Sequence, residues 1–398
     1  MTKRDDKRVP ALRFKGFTDE WEQRKPGDFL VESKIIGHKG DKAKKLTVKL
    51  WGKGVQEKQD ILSGSANTQY YIRKSGQLMY GKLDFLHAAF GIVPSQLNNY
   101  ESTIDSPSFD VKSANSIFLL NLFLRKKFYL YYGERANGSR KAKRIHEKDF
   151  LVMPIKMPEI NEQNKISNLI EIVNNRITLQ QRKVKQLKLL RRALQQQIMP
   201  FIYKENGMHF VKSKQNWNLI SLNKILKERK KLTSDGNIPL VSLTKDGVIP
   251  KNSRYNREFL VKDKNKKYKL TRINDIVYNP ANLKFGVINR NKLGTAKFSP
   301  IYVTLATNLK FDPAYIELII TDKDFISYSL RYEEGTVYER KAVKPQDLLS
   351  IKVNCPDKLI QTRIVNFFEL ITVKIKDNEL KLKSFNNLKH FLLQNMFI

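Results

Sequence analysis

The sequence predicts an α+β protein. Two mixed α/β domains are joined by two long antiparallel helices that pair as a coiled coil, and a pseudo-twofold internal repeat relates the halves. Three observations carry this expectation. The 398-residue chain repeats itself at an offset of 198, and a period of that size is a whole duplicated unit. Each copy closes with about 40 residues whose apolar positions recur every three or four, the signature of a helix seam. The stretches before these helices hold short alternating runs broken by Gly, Asn and Asp, as a twisted sheet with turns requires. The expected boundaries are a first domain over 1–158, a first long helix over 159–199, a second domain over 200–356 and a second helix over 357–398.

The repeat is clearest where each domain meets its helix. DFLVMPIKMP from Asp149 and DLLSIKVNCP from Asp347 both read as a strand ending in proline. Apolar residues then fall at Ile166, Ile170, Val173, Ile177, Val184, Leu187, Leu190, Leu194 and Ile198 in the first copy. In the second they fall at Ile364, Phe368, Ile371, Ile375, Leu382, Phe385, Leu388, Leu392 and Met396. One layer is polar in both, with Gln180 and Asn378 also separated by 198. Helices of about 60 Å at 1.5 Å per residue are longer than one compact domain can cover, so the two seams are expected to pack on each other. The paired polar layer would fix their register. Chain order makes them antiparallel if the domains sit at opposite ends, and Pro200 is the expected stop of the first.

The domains themselves repeat more faintly. GFTDEWEQRKPGDFL around Trp21 answers QNWNLISLNKIL around Trp217, and Tyr80 and Phe90-Gly91 answer Tyr278 and Phe285-Gly286. Between these anchors the copies diverge, so the frame is shared and the exposed content is not. The run SIFLLNLFL from Ser116 is nine residues long. That is too short to span a bilayer and reads as a buried strand or short core helix.

The charge balance is 74 − 39 = +35, divided as 38 − 20 = +18 up to residue 200 and 36 − 19 = +17 beyond it. Such an excess points to a polyanionic partner, nucleic acid first and an anionic membrane surface second. A single cysteine, Cys355, excludes an internal disulfide framework and a Cys-rich zinc module, and 41% hydrophobic residues exclude a basic disordered tail. The N-terminal MTKRDDKR leads into no apolar stretch, so a reduced, cytoplasmic protein without membrane association is expected.

Catalytic motifs are absent. Gly76 to Leu83 matches a P-loop spacing but places Leu83 where a magnesium-binding hydroxyl belongs, and the second copy has neither its glycine nor its lysine. Asn279-Pro280-Ala281-Asn282 lacks the second proline and aromatic of an amino-methyltransferase motif and reads as a turn. Pro356-Asp357, Glu379 and Lys381 follow a nuclease-like order, but the last two fall on the helix pattern. His38, His87, His146, His209 and His390 show no ligand spacing. Cys355 beside its strand reads as packing. No catalytic residue, metal site or resident cofactor is expected.

Basic residues cluster instead, interleaved with groups able to hydrogen-bond base edges. In the first domain these are Lys42, Lys44 and Lys45; Arg73 and Lys74 beside Tyr70 and Tyr71; and Arg135, Asn137, Ser139, Arg140, Lys141, Lys143 and Arg144. In the second they are Arg229, Lys230 and Lys231; Arg254, Tyr255, Asn256 and Arg257; the five lysines from Lys262 to Lys269; and Lys284, Asn289 and Arg290. Lysine runs suit phosphate, while Arg and Asn in turns suit guanine and adenine edges. The distal half of the first helix adds Arg182, Lys183, Lys185, Lys188, Arg191 and Arg192, a face suited to DNA, an acidic helix or plain solvation.

These residues resemble the specificity subunit of type I restriction-modification systems. PALRFKGFTDEWEQRKPGD from Pro10 is similar to that family's Pro-x-Leu-Arg-Phe-x-Gly-Phe start, as are MPEINEQNKI and the helix ending LLRRALQQQIMPF. The resemblance spans the chain, although Ile360-Gln361 replaces Glu162-Gln163 where the second helix begins. It implies two target recognition domains, each reading one half of a split, asymmetric site in double-stranded DNA. It also implies two docked methyltransferase subunits and, through them, restriction and translocase subunits. S-adenosylmethionine, ATP and Mg would be carried by those partners. The competing expectations are a basic coiled-coil scaffold meeting acidic protein or anionic surfaces, and a stand-alone nucleic-acid enzyme.

Overall fold

The computed structural model describes residues 9–59, 65–135, 143–198, 217–251, 267–335 and 341–398. It divides into two compact units, Met1–Arg182 with Leu380–Ile398, and Lys183–Glu379. The long helices, α1 (Ile160–Ile198) and α2 (Lys358–Asn395), each contribute to both units.

In the first unit a four-stranded antiparallel sheet runs in the order Leu30–Ser33, Ser108–Val111, Leu78–Tyr80, Phe90–Ile92. SIFLLNLFL packs on it as the helix Ser116–Phe123, capped by the Asn115 side chain, which accepts from the N–H groups of Ile117 and Phe118. The core is aromatic: Tyr80, Phe90, Phe109, Phe123 and Phe150 are all fully buried, with Tyr80 and Phe150 centroids 4.7 Å apart. Rings bury much apolar area at little rotamer cost. The Tyr80 hydroxyl, sunk in this core, donates to the Ile145 carbonyl at 3.0 Å.

The second unit repeats the frame with an aliphatic filling. Its four-stranded sheet runs Leu226–Glu228, Val303–Thr307, Ile276–Tyr278, Ile288–Arg290, all antiparallel. The helix Pro313–Ile320 takes the place of Ser116–Phe123 and is capped by Asp312. Ile316, Ile320, Leu348 and Val353 supply the core. Tyr278 keeps its job, its hydroxyl donating to the Val343 carbonyl at 3.2 Å. The smaller sheets repeat too. Glu22–Arg24 pairs with Ile155–Met157 as Asn218–Ser221 pairs with Lys352–Cys355, and a three-stranded sheet recurs as Ile35–Lys39, Gln69–Ile72, Glu101–Ser102 and Leu232–Thr233, Tyr268–Thr271, Ala296–Phe298.

Both look-alike motifs resolve into frame elements. The P-loop spacing is a turn at Gly76 (φ +85°) and the core strand Leu78–Tyr80, and Asn279 caps a short 3-10 helix over Pro280–Phe285. That helix closes on Gly286 at φ +73°, and its counterpart Phe85–His87 closes on Ala88 at φ +49°, 198 positions earlier, so Phe285-Gly286 does not answer Phe90-Gly91; Ile288 holds the place of Phe90, opposite Tyr278.

Helix pairing is visible inside each unit. In the first, Ile166, Ile170, Val173 and Ile177 of α1 share a core with Leu382, Phe385, Leu392 and Met396 of α2. In the second, Leu194 and Ile198 pack with Ile364, Phe368 and Ile371. The start of one helix thus meets the end of the other in both, which makes them antiparallel. Val184, Ile375 and Asn378 are buried and Leu187 and Gln180 half-buried, as the seam requires. Asn378 donates to the Lys374 carbonyl one turn back at 2.6 Å.

One layer departs from the expected seam. Leu190 and Leu388 are exposed, and the inward position is taken one residue later by Arg191 and Lys389, again 198 apart. Arg191 lays its guanidinium 5.7 Å from the Phe368 ring centre. The spacing 184, 187, 191, 194 follows a 3.5-residue repeat, which keeps a straight stripe along a paired helix. A long basic side chain fits that position by packing its stem along the seam, at the cost of partly desolvating its charged head. Pro200 lies outside the described residues.

Candidate nucleic-acid interface

The nominated cations divide into exposed groups and groups committed to the interior. On the first unit Lys42 and Lys44 stand exposed on the segment between strands Ile35–Lys39 and Leu46–Val48. Lys45 is buried, its ammonium 5.8 Å from the Tyr70 ring centre. Lys74 is exposed and donates to Asn99 Oδ1 at 2.8 Å. Arg135 is exposed and stacks on Tyr131 at 3.4 Å. Half-buried Lys143 donates to the Glu134 carbonyl, and exposed Arg144 lies 3.7 Å from Asp105. Asn137, Ser139, Arg140 and Lys141 lie outside the described residues.

Arg73 has a different environment. Only 2% exposed, it donates through Nε to Ser102 Oγ at 2.8 Å and through Nη1 to the Ser33 carbonyl and Ser108 Oγ, both at 2.9 Å. Burial pushes its pKa down to about 10, so it is still a cation at neutral pH. Its fork joins three strands of two sheets, and its neighbour Lys74 is the one that faces solvent.

The second unit shows the same division. Lys230 and Lys231 are exposed, while Arg229 is clamped bidentately by Asp275 at 2.7 and 3.0 Å. Asp275 is itself buried and also accepts from the Arg272 N–H at 2.8 Å. Arg290 donates to Glu317 at 3.0 Å and to Asn274 at 2.8 Å, and buried Asn289 donates to the Thr244 and Lys245 carbonyls. Lys284 is exposed beside exposed Phe285. Arg254, Tyr255, Asn256 and Arg257 lie outside the described residues, as do Lys262, Lys264 and Lys266; Lys267 is exposed, and Lys269 lies 3.6 Å from Glu228.

The partners that hold Arg73, Arg229 and Arg290 sit 29 to 46 positions from them in two cases and 16 and 27 in the third. No local pattern marks such pairs. On α1, Lys188 pairs with Glu379 of α2 at 2.7 Å on a solvated face, which accounts for the acid of the nuclease-like order. Cys355 is buried, and burial pushes its thiol up to about 12, as suits a packing residue. Among the described residues no three His, Cys, Asp or Glu side chains could hold a metal ion, and no helix is long and apolar enough to cross a membrane.

Where the helices begin, the two units are chemically alike. Gln163 Nε2 donates to the Pro158 carbonyl at 2.8 Å, and its Oε1 accepts from the Asn115 N–H at 3.0 Å. Gln361 makes the matching bonds to Pro356 at 2.8 Å and Asp312 at 2.9 Å. The replacement of Glu162 by Ile360 therefore leaves this joint intact. Glu162 has a separate partner, Arg13, which grips it at 2.7 Å through both Nε and Nη2.

The geometry defines a class of chain: one α+β frame built twice, each copy holding a stretch of both antiparallel long helices, with differing polar groups on the shared frame. Solved structures of that class are specificity subunits of type I restriction-modification systems, and the chain has their fold. The S subunit from M. genitalium superposes with a TM-score of 0.58 at 12% identity, covering 98% of this chain and 99% of that one. A chain solved for complex assembly and conformational transition of the type I R-M system gives 0.54 at 14%, covering 95% and 97%. The HsdS subunit from Thermoanaerobacter tengcongensis gives 0.47 at 13%, covering 95% and 96%. No family profile and no curated relative matches the sequence.

Proposed function

We propose that this chain is the sequence-reading subunit of a type I restriction-modification complex. Each unit reads one half of a bipartite, asymmetric site in duplex DNA. The observation that carries this reading is the contrast between frame and surface. Sheet order, the Tyr80 and Tyr278 anchors and the Gln163 and Gln361 joints repeat, while the exposed cations Lys42 and Lys44 stand where the second unit has Asn237 and Pro239. Two equal frames with unequal surfaces suit two different short sequences. Exposed lysines neutralise phosphate, which supplies affinity without sequence information.

The chain acts without chemistry of its own. Methyltransferase subunits dock on the outer faces of the long helices and carry S-adenosylmethionine and the transfer step; restriction subunits with ATP and Mg join through them. Ile172 and Leu370, at matching positions, are 58% and 71% exposed and give each copy an apolar contact for such a partner. Methylation mapping in a host carrying this chain with its methyltransferase partner tests the reading. The expected result is methylated bases in two short half-sites at a fixed spacing. Methylation without sequence preference leaves only a basic scaffold and overturns it.

A further inference from the structure

The edge strand Ile35–Lys39 of the first unit's three-stranded sheet carries a β-bulge between Ile36 and Lys39, and the bulge is held from beneath. Buried Glu101 accepts from the His38 N–H through Oε2 and meets His38 Nδ1 through Oε1, both at 2.6 Å. Gln69 Nε2 donates to the Gly37 carbonyl at 2.9 Å. A Cβ on Gly37 would overlap Glu101 Oε2, so only glycine lets the strand lie this close to the carboxylate. Bulges of this kind re-aim a side chain next to a functional surface. Here the re-aimed side chain is His38, 63% exposed and fixed at one ring nitrogen.

We infer that His38 is a base-reading residue of the first unit and that Glu101 is its positioning residue. This rests on the DNA-reading role proposed above. A carboxylate only accepts, so Nδ1 carries a proton and Nε2 is the nitrogen presented outward. Neutral, that nitrogen accepts a hydrogen bond from the amino group of adenine or cytosine in the major groove. Exposed Lys39, Lys42 and Lys44 on the same segment have the flexible ammonium ends that suit phosphate. Ile35, Ile36, His38 and Lys39 of this edge strand are exposed, Ile36 at 74%.

The second unit puts different chemistry at the same place. The isolated parallel bridges Lys45 to Glu101 and Leu240 to Lys297 mark equivalent positions in the two three-stranded sheets. Buried Lys297 stands where Glu101 stands, donates to the Asp235 carbonyl and lies 5.4 Å from the Tyr268 ring centre. A buried carboxylate under an imidazole in one unit is thus a buried ammonium under a main-chain turn in the other. The two edges therefore present different groups outward.

The test uses the full chain with its methyltransferase partner and a duplex library randomised over both half-sites, sequencing the bound fraction. For His38→Ala, preference at one or two adjacent base pairs of one half-site should fall by about tenfold, with the other half-site unchanged. For Glu101→Gln, preference should fall at the same base pairs by a smaller factor. His38→Ala takes one partner from buried Glu101 while leaving it the main-chain N–H of residue 38, so the melting temperature of the variant is measured and binding is assayed well below it, which removes unfolding as a rival explanation. A wild-type motif left unaltered by His38→Ala, or loss across both half-sites, overturns the inference alone. A wild-type complex that enriches no motif overturns both this inference and the proposed function.

Discussion

Gln163 and Gln361, 198 positions apart, make the same pair of hydrogen bonds in the two units: each amide donates at 2.8 Å to the proline carbonyl just before its helix. Each side-chain carbonyl accepts from the residue that caps the neighbouring short helix, Asn115 or Asp312. The sheet, the short helix and the long helix are thereby joined at one buried amide.

Truncating that amide should leave a buried carbonyl and a cap N–H without partners, at a cost of about 1–3 kcal/mol. Gln163→Ala and Gln361→Ala are each expected to lower stability by this amount. Hydrogen exchange should show faster opening around Asn115 for the first variant and around Asp312 for the second. Protection loss in both units from either variant would contradict the local character of the joint.

Arg13 and Glu162 form the pair that the second unit replaces with Ile360. Glu162 is fully buried, so Arg13→Ala leaves an unpaired charge in the interior and should cost about 3–5 kcal/mol in denaturant unfolding. Adding Glu162→Ile copies the second unit's solution and should recover most of that loss. A double variant no more stable than Arg13→Ala would show that Arg13 acts through packing rather than charge.

Arg73 and Lys74 are neighbours with opposite roles. Arg73→Lys cannot reproduce the fork to Ser33, Ser102 and Ser108, so it should lower the melting temperature even though charge is kept. Lys74→Ala and Lys44→Ala should leave stability within about 0.5 kcal/mol. Each should lower the slope of log affinity against log salt by about one for any duplex. An unchanged salt slope would remove these lysines from the phosphate contact.

Lys389 sits in the seam with its pKa lowered by burial, and Arg191 is lowered for the same reason. A base whose folded pKa is depressed loses stability as pH falls through that value. The cost is therefore fully present below the depressed folded value and is relieved as pH rises from there toward the ordinary lysine range. Lys389→Met keeps the stem and removes the charge; on the order of 1 kcal/mol, or roughly 2–4 °C in melting temperature, should be gained. The rise of stability with alkaline pH should flatten in this variant, and a lower melting temperature would show that the ammonium is well solvated.

What the sequence determined by itself was everything that is periodic or duplicated. The offset of 198, the antiparallel helix pair, the Tyr80 and Tyr278 anchors and the proline-ended strands all rest on spacing within one stretch of chain, and spacing is local. Tertiary structure alone decided which cations face outward. Arg73 and Lys74 are adjacent basic residues with nothing nearby to set them apart, but pairing with serines 29 and 35 residues away turns one inward and leaves the other in water. It also moved the seam from Leu190 and Leu388 to Arg191 and Lys389, because the inward stripe of a paired helix follows its partner rather than the residue with the most apolar side chain. The bulge at His38 belongs to the same class, since its carboxylate comes from 63 positions away. Long-range placement sets the environment of a polar group, and environment decides whether that group builds the fold or meets a ligand.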